Sequence, residues 1–291
     1  MSFRTLMAIA AEHDLELEQM DAVNAFVHAP LDDEEVIFMR MPPGSLRTTP
    51  LAAPLATDAY VVSRGTGIQK SSQEPCVMVK GAVTVFFYVD DIIWAFRKED
   101  EGSSKKLLGD YRKDQPNSAW RTSLVLGIRI LRDRQRKTLW LTQDAYIDKI
   151  AYKFLLNNDN APESLKLPDT PMISDEELLP ATSQANEREK HQYLQKVGSV
   201  LFSAISTRPD IAFAVSRLAR HNHNPDEKHQ KAADRVILFL FATRSYALRL
   251  GGGSKEAELF LCSSDASFAD NSVDRKSSQG YVMTLFGGSV A

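Results

Sequence analysis

Hydrophobic positions are densest between residues 83 and 96. Seven β-branched or aromatic residues occupy 83–89, and five apolar residues occupy 92–96; such side chains favour strands. The two runs predict a tight hairpin with Asp90 and Asp91 at its tip. Because an isolated carboxylate is costly to bury, these aspartates either face solvent or bind a cation. An ordinary Asp-Asp turn is the alternative, since Asp is a common turn residue.

The hydrophobic pattern before this hairpin predicts one helix and one strand. Apolar residues follow helical spacing over 2–12, where Ser2 suits the cap position. Leu15 and Leu17 then alternate with polar residues, as in a strand that ends near Asp21. Since Asp is also a good helix N-cap, Asp21 suits both a strand end and the start of a following helix.

The pattern after the hairpin predicts further helices and strands separated by polar segments. In chain order they are a charged helix over 99–114, a hairpin of 124–130 and 138–142 with its turn at 133–137, a helix after Gln143, helices over 193–205 and 226–243, and strands over 259–270 and 275–285. Thr207 is predicted to cap one more helix, with Pro209 and Asp210 in its first turn. The segments 45–72 and 157–187 are rich in polar and turn-forming residues and predict linkers.

Composition narrows the class of protein. The chain has 291 residues, of which 43% are hydrophobic and 25% charged, as in a soluble globular protein of about two domains. It contains no run of ~18 apolar residues that would predict a membrane span, and its N-terminus lacks a secretory signal pattern. We therefore expect an intracellular protein of the cytoplasm or nucleus, with no membrane partner. Two cysteines are too few for a disulfide framework, and the histidines lack further ligands at zinc-binding spacing.

The distribution of charge bears on nucleic-acid binding. A net charge of −3 argues against a strongly basic binding protein. One local cluster of cations surrounds the second predicted turn and consists of Arg129, Arg132, Arg134, Arg136 and Lys137. This basic cluster either contacts phosphate groups or is an ordinary solvated hairpin tip.

Several short motifs carry a resemblance to a known family. Tyr88-Val89-Asp90-Asp91 resembles the catalytic hairpin of reverse transcriptases. Four further blocks, in the right order, resemble the polymerase region of copia-type retrotransposon polyproteins. They are the strand ending at Asp21 with Ala25-Phe26 after it, the acidic turn, strand and Pro-Pro-Gly of 31–44, the Leu-Gly-Ile strand with Gln143-x-x-Tyr146-Ile147, and the helices containing Thr207-Arg208-Pro209-Asp210 and His229.

The resemblance implies an α+β fold with three parts. The first is a partial reverse-transcriptase palm over 1–114, an antiparallel sheet with helices in which 45–72 is a non-matching linker. The second is a helical thumb and connection over 115–250. The third is the first hairpin of a ribonuclease H-like domain over 255–291.

The resemblance also implies site residues, cofactors and partners. Asp21, Asp90 and Asp91 would be catalytic. Asp21 and Asp90 would hold Mg²⁺, and Asp265 would take the first metal-ligand position of the ribonuclease H-like part. Two Mg²⁺ ions are implied, with Mn²⁺ as a substitute, and no haem or nucleotide cofactor. The implied partners are an RNA template, a DNA primer, which the basic cluster would approach, and the remaining polyprotein segments.

Two departures from the family pattern predict that this fragment is inactive. The segment 45–72 lacks the Leu-Tyr-Gly-Leu-like run and the Gln-containing helix that support the template and the incoming nucleotide in the family. The family's basic fingers strands precede the first catalytic block, and we expect that the chain begins too late to include them. The alternatives are a non-catalytic nucleic-acid-binding or assembly module that keeps the fold, and a non-functional relic that folds poorly.

Overall fold

A computed structural model describes residues 2–21, 69–71, 74, 76–88, 91–114, 120–121, 123–156, 167–173, 178–253, 259–271 and 273–291. They belong to two compact units, Met1–Val125 and Leu126–Ala291. Both units are mixed α and β with antiparallel strands, and the described ranges contain six α-helices. None of these helices is long and apolar enough to cross a membrane. Most of the linker predicted over 45–72 lies outside the described residues, but Gln69–Lys70 near its end form a strand. The three-part division stays a prediction.

The described part of the first unit contains one six-stranded sheet, one further short strand and two helices. Its elements are α1 (Ser2–Glu12), β1 (Glu16–Asp21), β2 (Gln69–Lys70), β3 (Val77–Lys80), β4 (Val83–Tyr88), β5 (Asp91–Phe96), a 3₁₀ turn (Lys98–Asp100), α2 (Glu101–Asp114), β6 (Trp120–Arg121) and β7 (Leu124–Val125). Six of the strands form a sheet in the order β2-β3-β4-β5-β1-β6. The strand β5 is therefore flanked by β4 on one side and β1 on the other.

The predicted hairpin is confirmed as β4 and β5, and it forms the core of the first unit. Ile92, Ile93 and Trp94 are consecutive and completely buried. Because successive side chains of a strand point to opposite faces, both faces of β5 are covered. Phe3 of α1 lies against Phe86 of β4, with ring centroids 5.8 Å apart, so α1 covers one of these faces.

The hairpin differs from the prediction at its tip. Tyr88 pairs directly with Asp91, which makes Asp91 the first residue of β5 and not a turn residue. In the same register, the buried residues Phe86 and Ile93 stand opposite each other further along the strands. Asp90 falls outside the described residues.

The second unit contains four helices and two groups of strands. Its elements are β8 (Ile128–Asp133), β9 (Thr138–Thr142), α3 (Asp144–Ala151) with a π-helical continuation (Tyr152–Leu156), α4 (Glu187–Ser206), a 3₁₀ turn (Pro209–Ile211), α5 (Ala212–Ala219), α6 (Glu227–Ala242), β10 (Leu248–Gly251), β11 (Phe260–Ser267), β12 (Ser278–Leu285) and β13 (Gly288–Ser289). The strands β8, β9 and β10 pair antiparallel in that order. The helices predicted over 193–205 and 226–243 are confirmed as α4 and α6.

The strand predicted over 124–130 is wrong in its continuity. Leu126 and Gly127 form a turn, with φ angles of 54° and 72°. Residues with positive φ leave the extended conformation of a strand, so β7 and β8 are separate. Leucine rarely adopts this conformation, which explains why the hydrophobic pattern concealed the turn.

Helices α3 to α6 share one buried core. Tyr193 of α4 is completely buried, and its hydroxyl donates to the Leu218 carbonyl oxygen at 2.8 Å. Lys196 of α4 pairs with Asp234 of α6 at 2.6 Å. Burial raises the pKa of Asp234, although Lys196 opposes that shift. The helices are therefore joined by polar contacts as well as by apolar packing.

Thr207 does not cap a helix as predicted. Its hydroxyl donates to the side-chain oxygen of Gln143 at 2.8 Å, and both residues are buried. Its backbone N–H bonds to Ser203 at the C-terminal end of α4. The position before the 3₁₀ turn is taken by Arg208, which makes no side-chain cap. The hydroxyl of Thr207 thus joins two segments instead of starting a helix.

The last strands form a sheet of three strands, β11-β12-β13, where the sequence predicted two. All of β11 is exposed. The short strand β13 passes very close to β10, because a Cβ atom on Gly288 would lie 2.6 Å from the Leu250 Cα. Real side chains do not tolerate such a distance, so this contact depends on glycine at position 288.

Candidate active site

The candidate site lies where β1, β4 and β5 of the first unit come together. Asp91 opens β5 and stands opposite Tyr88 on β4 and Asp21 on β1. Asp21 is the last residue of β1, as the sequence predicted. Residues directly opposite each other in an antiparallel ladder have Cα atoms about 4.5–5.5 Å apart. The fold therefore brings the backbones at two of the three predicted catalytic positions next to each other.

The local sequence explains why the site sits at this end of the strands. Asp91 is only partly buried, whereas Ile92, which follows it, is completely buried. A carboxylate at the boundary of the core keeps part of its hydration and avoids the high cost of full burial. Tyr88, opposite Asp91, is 52% exposed. The apolar strand thus ends in polar side chains that solvent can reach.

Gln19 is a site residue that the sequence analysis missed. Its side-chain N–H donates to Asp91 Oδ1 at 2.9 Å, and this bond fixes the orientation of the carboxylate. Gln19 precedes Asp21 by two positions, which is the repeat of a strand face. This spacing could have placed Gln19 on the same strand face as Asp21. It could not reveal the contact with Asp91, because Asp91 lies 72 residues away in the sequence.

Only one of the three predicted catalytic aspartates, Asp91, has a described side chain. Asp90 and the side chain of Asp21 lie outside the described residues, so the convergence of the three carboxylates stays a prediction. The oxygen ligands offered by aspartates fit Mg²⁺, which binds one or two carboxylates and keeps several waters. Among the described side chains, no group of three or more His, Cys, Asp or Glu could hold a metal ion. A metal at this site would therefore need Asp21 and Asp90 in addition to Asp91.

Asp265 belongs to the second unit. It lies within β11, opposite Gly280 of β12, and is exposed. The sequence predicted it at a strand that runs into an aspartate, and the structure places it inside the strand. Its role as a metal ligand stays a prediction.

The basic cluster is spread over both faces of its hairpin. Arg129 and Arg132 are three positions apart on β8 and so point to opposite faces. Arg129 pairs with Asp144 at 2.8 Å, and Arg136 lies 3.7 Å from Asp133. The three remaining members, Arg132, Arg134 and Lys137, also interact with neighbouring groups. Part of the positive charge is thereby already balanced within the protein.

Comparison with known proteins adds the evolutionary context of this site. The chain is 29% identical over 314 residues to the retrovirus-related Pol polyprotein from transposon TNT 1-94 of Nicotiana tabacum, which covers 100% of the chain and 23% of the polyprotein. It is 26% identical to the Pol polyprotein from transposon RE2 of Arabidopsis thaliana over 98% of the chain and 20% of that protein. The chain is homologous to copia-type retrotransposon Pol polyproteins, and the part that aligns with them is called the Pol segment below.

The Pol segment also resembles a protein from yeast. It is 29% identical to the Ty5-1 transposon protein YCL074W of Saccharomyces cerevisiae, over 72% of the segment and 65% of the yeast protein. No protein-family model matches the Pol segment. It spans about a fifth of the length of the plant polyproteins named above.

Proposed function

We propose that this Pol segment is the reverse transcriptase region of its polyprotein, followed by the start of a ribonuclease H-like part. The observation that carries the proposal is the strand register that sets Asp21 opposite Asp91, beside the Tyr88-Val89-Asp90-Asp91 hairpin. Similarity to copia-type Pol polyproteins over nearly the whole chain supports it. The proposed partners are an RNA template and a DNA primer.

The proposed chemistry is nucleotidyl transfer at a site made by Asp21, Asp90 and Asp91. Two Mg²⁺ ions bound there would activate the attacking 3′-hydroxyl and stabilise the leaving oxygen. Within the protein, Gln19 holds one oxygen of the Asp91 carboxylate at 2.9 Å. Such a bond pre-orients a ligand, so that less conformational freedom is lost when a metal binds.

The ribonuclease H-like part is proposed for β11, β12 and β13, with Asp265 as a metal ligand. Asp265 is exposed and is the one charged residue of β11. One carboxylate leaves Mg²⁺ mostly hydrated and does not fix a second ion. RNA cleavage by this part would need further ligands than Asp265.

Metal binding tests the proposal without requiring turnover. We expect Mn²⁺ titration, followed by the electron paramagnetic resonance signal of free Mn²⁺, to detect binding to the chain. The variants Asp91→Asn and Asp21→Asn should weaken it at least ~10-fold, and Gln19→Leu roughly 10-fold through loss of the orienting bond. Asp100→Asn, the same change in the 3₁₀ turn of the first unit, is the matched control.

The outcome that contradicts the proposal is equally specific. If Asp91→Asn and Asp21→Asn bind Mn²⁺ with the same affinity as the parent chain, any bound metal lies outside the proposed site. A loss of affinity in Asp100→Asn as large as in Asp91→Asn would show a general charge effect and no defined site.

A second candidate function is a non-catalytic nucleic-acid-binding or assembly module. The observation that favours it is the exposed turn of the β8–β9 hairpin, where Arg134, Arg136 and Lys137 lie at the surface. Phosphate contacts from such a turn need no metal. This function predicts duplex binding that persists in EDTA and weakens with salt.

The salt dependence of duplex binding tests the role of the basic cluster. Each phosphate contact contributes about 0.9 to the slope of log K against log salt. Replacing Arg132, Arg134 and Arg136 by glutamine should therefore reduce the slope by up to ~2.7. The control variant replaces three cations of α4 and α6, namely Arg188, Lys228 and Lys231. An unchanged slope in the first variant would exclude this hairpin as the duplex site.

A further inference from the structure

One cavity of the second unit lies away from the basic cluster. It is an open groove of about 1040 Å³, lined by residues of α5, of 170–173 and 178–181, and of the described part of 271–277. Its lining includes apolar side chains such as Met172 and Leu178 and cations of α5 and the residue after it, together with the carboxylates of Asp210 and Asp274. Neither the predicted catalytic residues nor the basic cluster contributes to this groove.

A row of three side chains defines the α5 wall. Phe213, Arg217 and Arg220 are spaced i, i+4 and i+7, so they lie on one face of the helix. The row is about 10 Å long at the helical rise per residue. Phe213 is 60% exposed although it is apolar. The Arg217 guanidinium carbon lies 5.2 Å from the centre of its ring.

The cations of the groove differ in how far they are already neutralised. Arg217 pairs with Asp270 at 2.9 Å, and Lys276 pairs with Asp274 at 2.7 Å. Arg220 is exposed and donates to the neutral hydroxyl of Ser278 at 3.1 Å. Within the described part of the chain, no carboxylate forms an ion pair with Arg220. Lys276 lowers the pKa of Asp274 and Arg220 adds a smaller effect in the same direction, so the charge of Arg220 is partly offset but engaged in no direct ion pair with a described carboxylate.

The neighbouring histidine does not add to this charge at neutral pH. Burial lowers the pKa of His221 to about 4, with His229 as the next cause and a smaller contribution from Arg220. The His221 and His229 rings are stacked, with centroids 3.9 Å apart. His221 therefore adds no positive charge to the groove at neutral pH, and on the α5 side the positive charge comes from Arg217 and Arg220.

We propose that this groove binds single-stranded nucleic acid, with a base stacked against Phe213 and a phosphate on Arg220. Proteins bind single strands by combining aromatic platforms with cations that follow the backbone. An acidic peptide would use Arg220, but it has no use for an exposed ring beside a guanidinium. A nucleotide can stack its base on the Phe213 ring and place its phosphate on Arg220. The length of the row suits a base and a phosphate of the same nucleotide or of adjacent nucleotides. The groove requires no metal, so it is independent of the candidate active site.

Fluorescence anisotropy with a labelled thymidine 12-mer tests this proposal on the full chain in EDTA. Stacking is sequence-tolerant and contributes substantially for each base, so Phe213→Leu should weaken binding ~10-fold. Each phosphate contact with a single strand contributes about 0.7 to the salt slope. We therefore expect Arg220→Gln to lower the slope by ~0.7. Arg188→Gln, which removes an exposed arginine of α4, should change neither quantity.

Each remaining outcome would overturn the proposal. Absence of 12-mer binding, or equal binding by the parent chain, Phe213→Leu and Arg220→Gln, would exclude the groove. Binding of a labelled oligoglutamate with the same dependence on Arg220, undisplaced by the 12-mer, would assign the groove to acidic peptides. Thermal melts of each variant separate loss of binding from loss of fold. The anisotropy assay is performed in EDTA, without free metal. A negative result in this assay therefore does not bear on the Mn²⁺ experiment with Asp91.

Discussion

Replacing Arg208 with alanine is expected to lower the free energy of unfolding of the second unit by about 3 kcal/mol. This arginine is only 2% exposed. Its guanidinium donates to both carboxylate oxygens of Asp210, at 2.9 and 2.6 Å, and to the backbone and side-chain oxygens of Thr243, at 3.1 and 2.6 Å. It also lies over the rings of Phe239 and Tyr246. Removing it breaks four hydrogen bonds and opens a cavity between α6 and the 3₁₀ turn.

A stability change of this size is a large fraction of the 5–15 kcal/mol that stabilises a typical protein. Urea unfolding followed by the helical circular dichroism signal measures it. Arg244→Ala is a matched control, because Arg244 also pairs with an aspartate, Asp148 at 3.4 Å, and lies over Phe241. Arg244 is exposed, and exposed ion pairs contribute roughly 0–1 kcal/mol. Equal losses in the two variants would show that burial of Arg208 is not what makes it important.

A polypeptide of these 291 residues is expected to extend no primer above background, even if its carboxylates bind Mg²⁺ as proposed. Correct positioning of the reactants can supply ~7–11 kcal/mol of the reaction barrier. In the family that this Pol segment resembles, a Leu-Tyr-Gly-Leu-like run and a Gln-containing helix support the template and the nucleotide. Residues 45–72 contain neither. Since each 1.36 kcal/mol changes a rate about tenfold, the loss should amount to several orders of magnitude.

Primer extension on an RNA template, with Mg²⁺ and separately with Mn²⁺, measures this effect. The comparison is between the parent chain and Asp90→Asn, which removes a proposed metal ligand with little change in shape. Both should give the same background signal. Extension by the parent chain that Asp90→Asn abolishes would show that the segment 45–72 does not prevent catalysis. The Mn²⁺ titration then distinguishes a site that binds metal without turnover from a site that binds none.

Local patterns in the sequence were sufficient to find the helices and the longer strands, but not short strands such as β3, β10 and β13. The apolar runs at 83–89 and 92–96 became the central hairpin, and the helical spacing from Asp226 onward became α6. Asp226 itself caps α6 in a reciprocal arrangement with His229. These features depend on residues within a few positions of each other, so periodicity and capping preferences determine them.

The features that the sequence did not predict depend on distant residues or on rare backbone conformations. The hydroxyl of Thr207 binds Gln143, 64 residues away, and Gln19 binds Asp91 across two strands. No short window contains both partners of either bond. The turn at Leu126 requires a positive φ that leucine seldom adopts. For the candidate site, the sequence indicated the aspartates through a family resemblance, whereas their proximity follows from pairing of strands far apart in the chain.

The contact between Gly288 and Leu250 limits which codon changes this part of the fold can tolerate. Every missense change at Gly288 adds at least a Cβ atom, which would meet the Leu250 backbone at 2.6 Å. The codon therefore has no conservative replacement, unlike the exposed positions of β11, where many residues fit. Mutational tolerance is thus expected to differ sharply between strands of one sheet, from many side chains along β11 to none at Gly288 of β13.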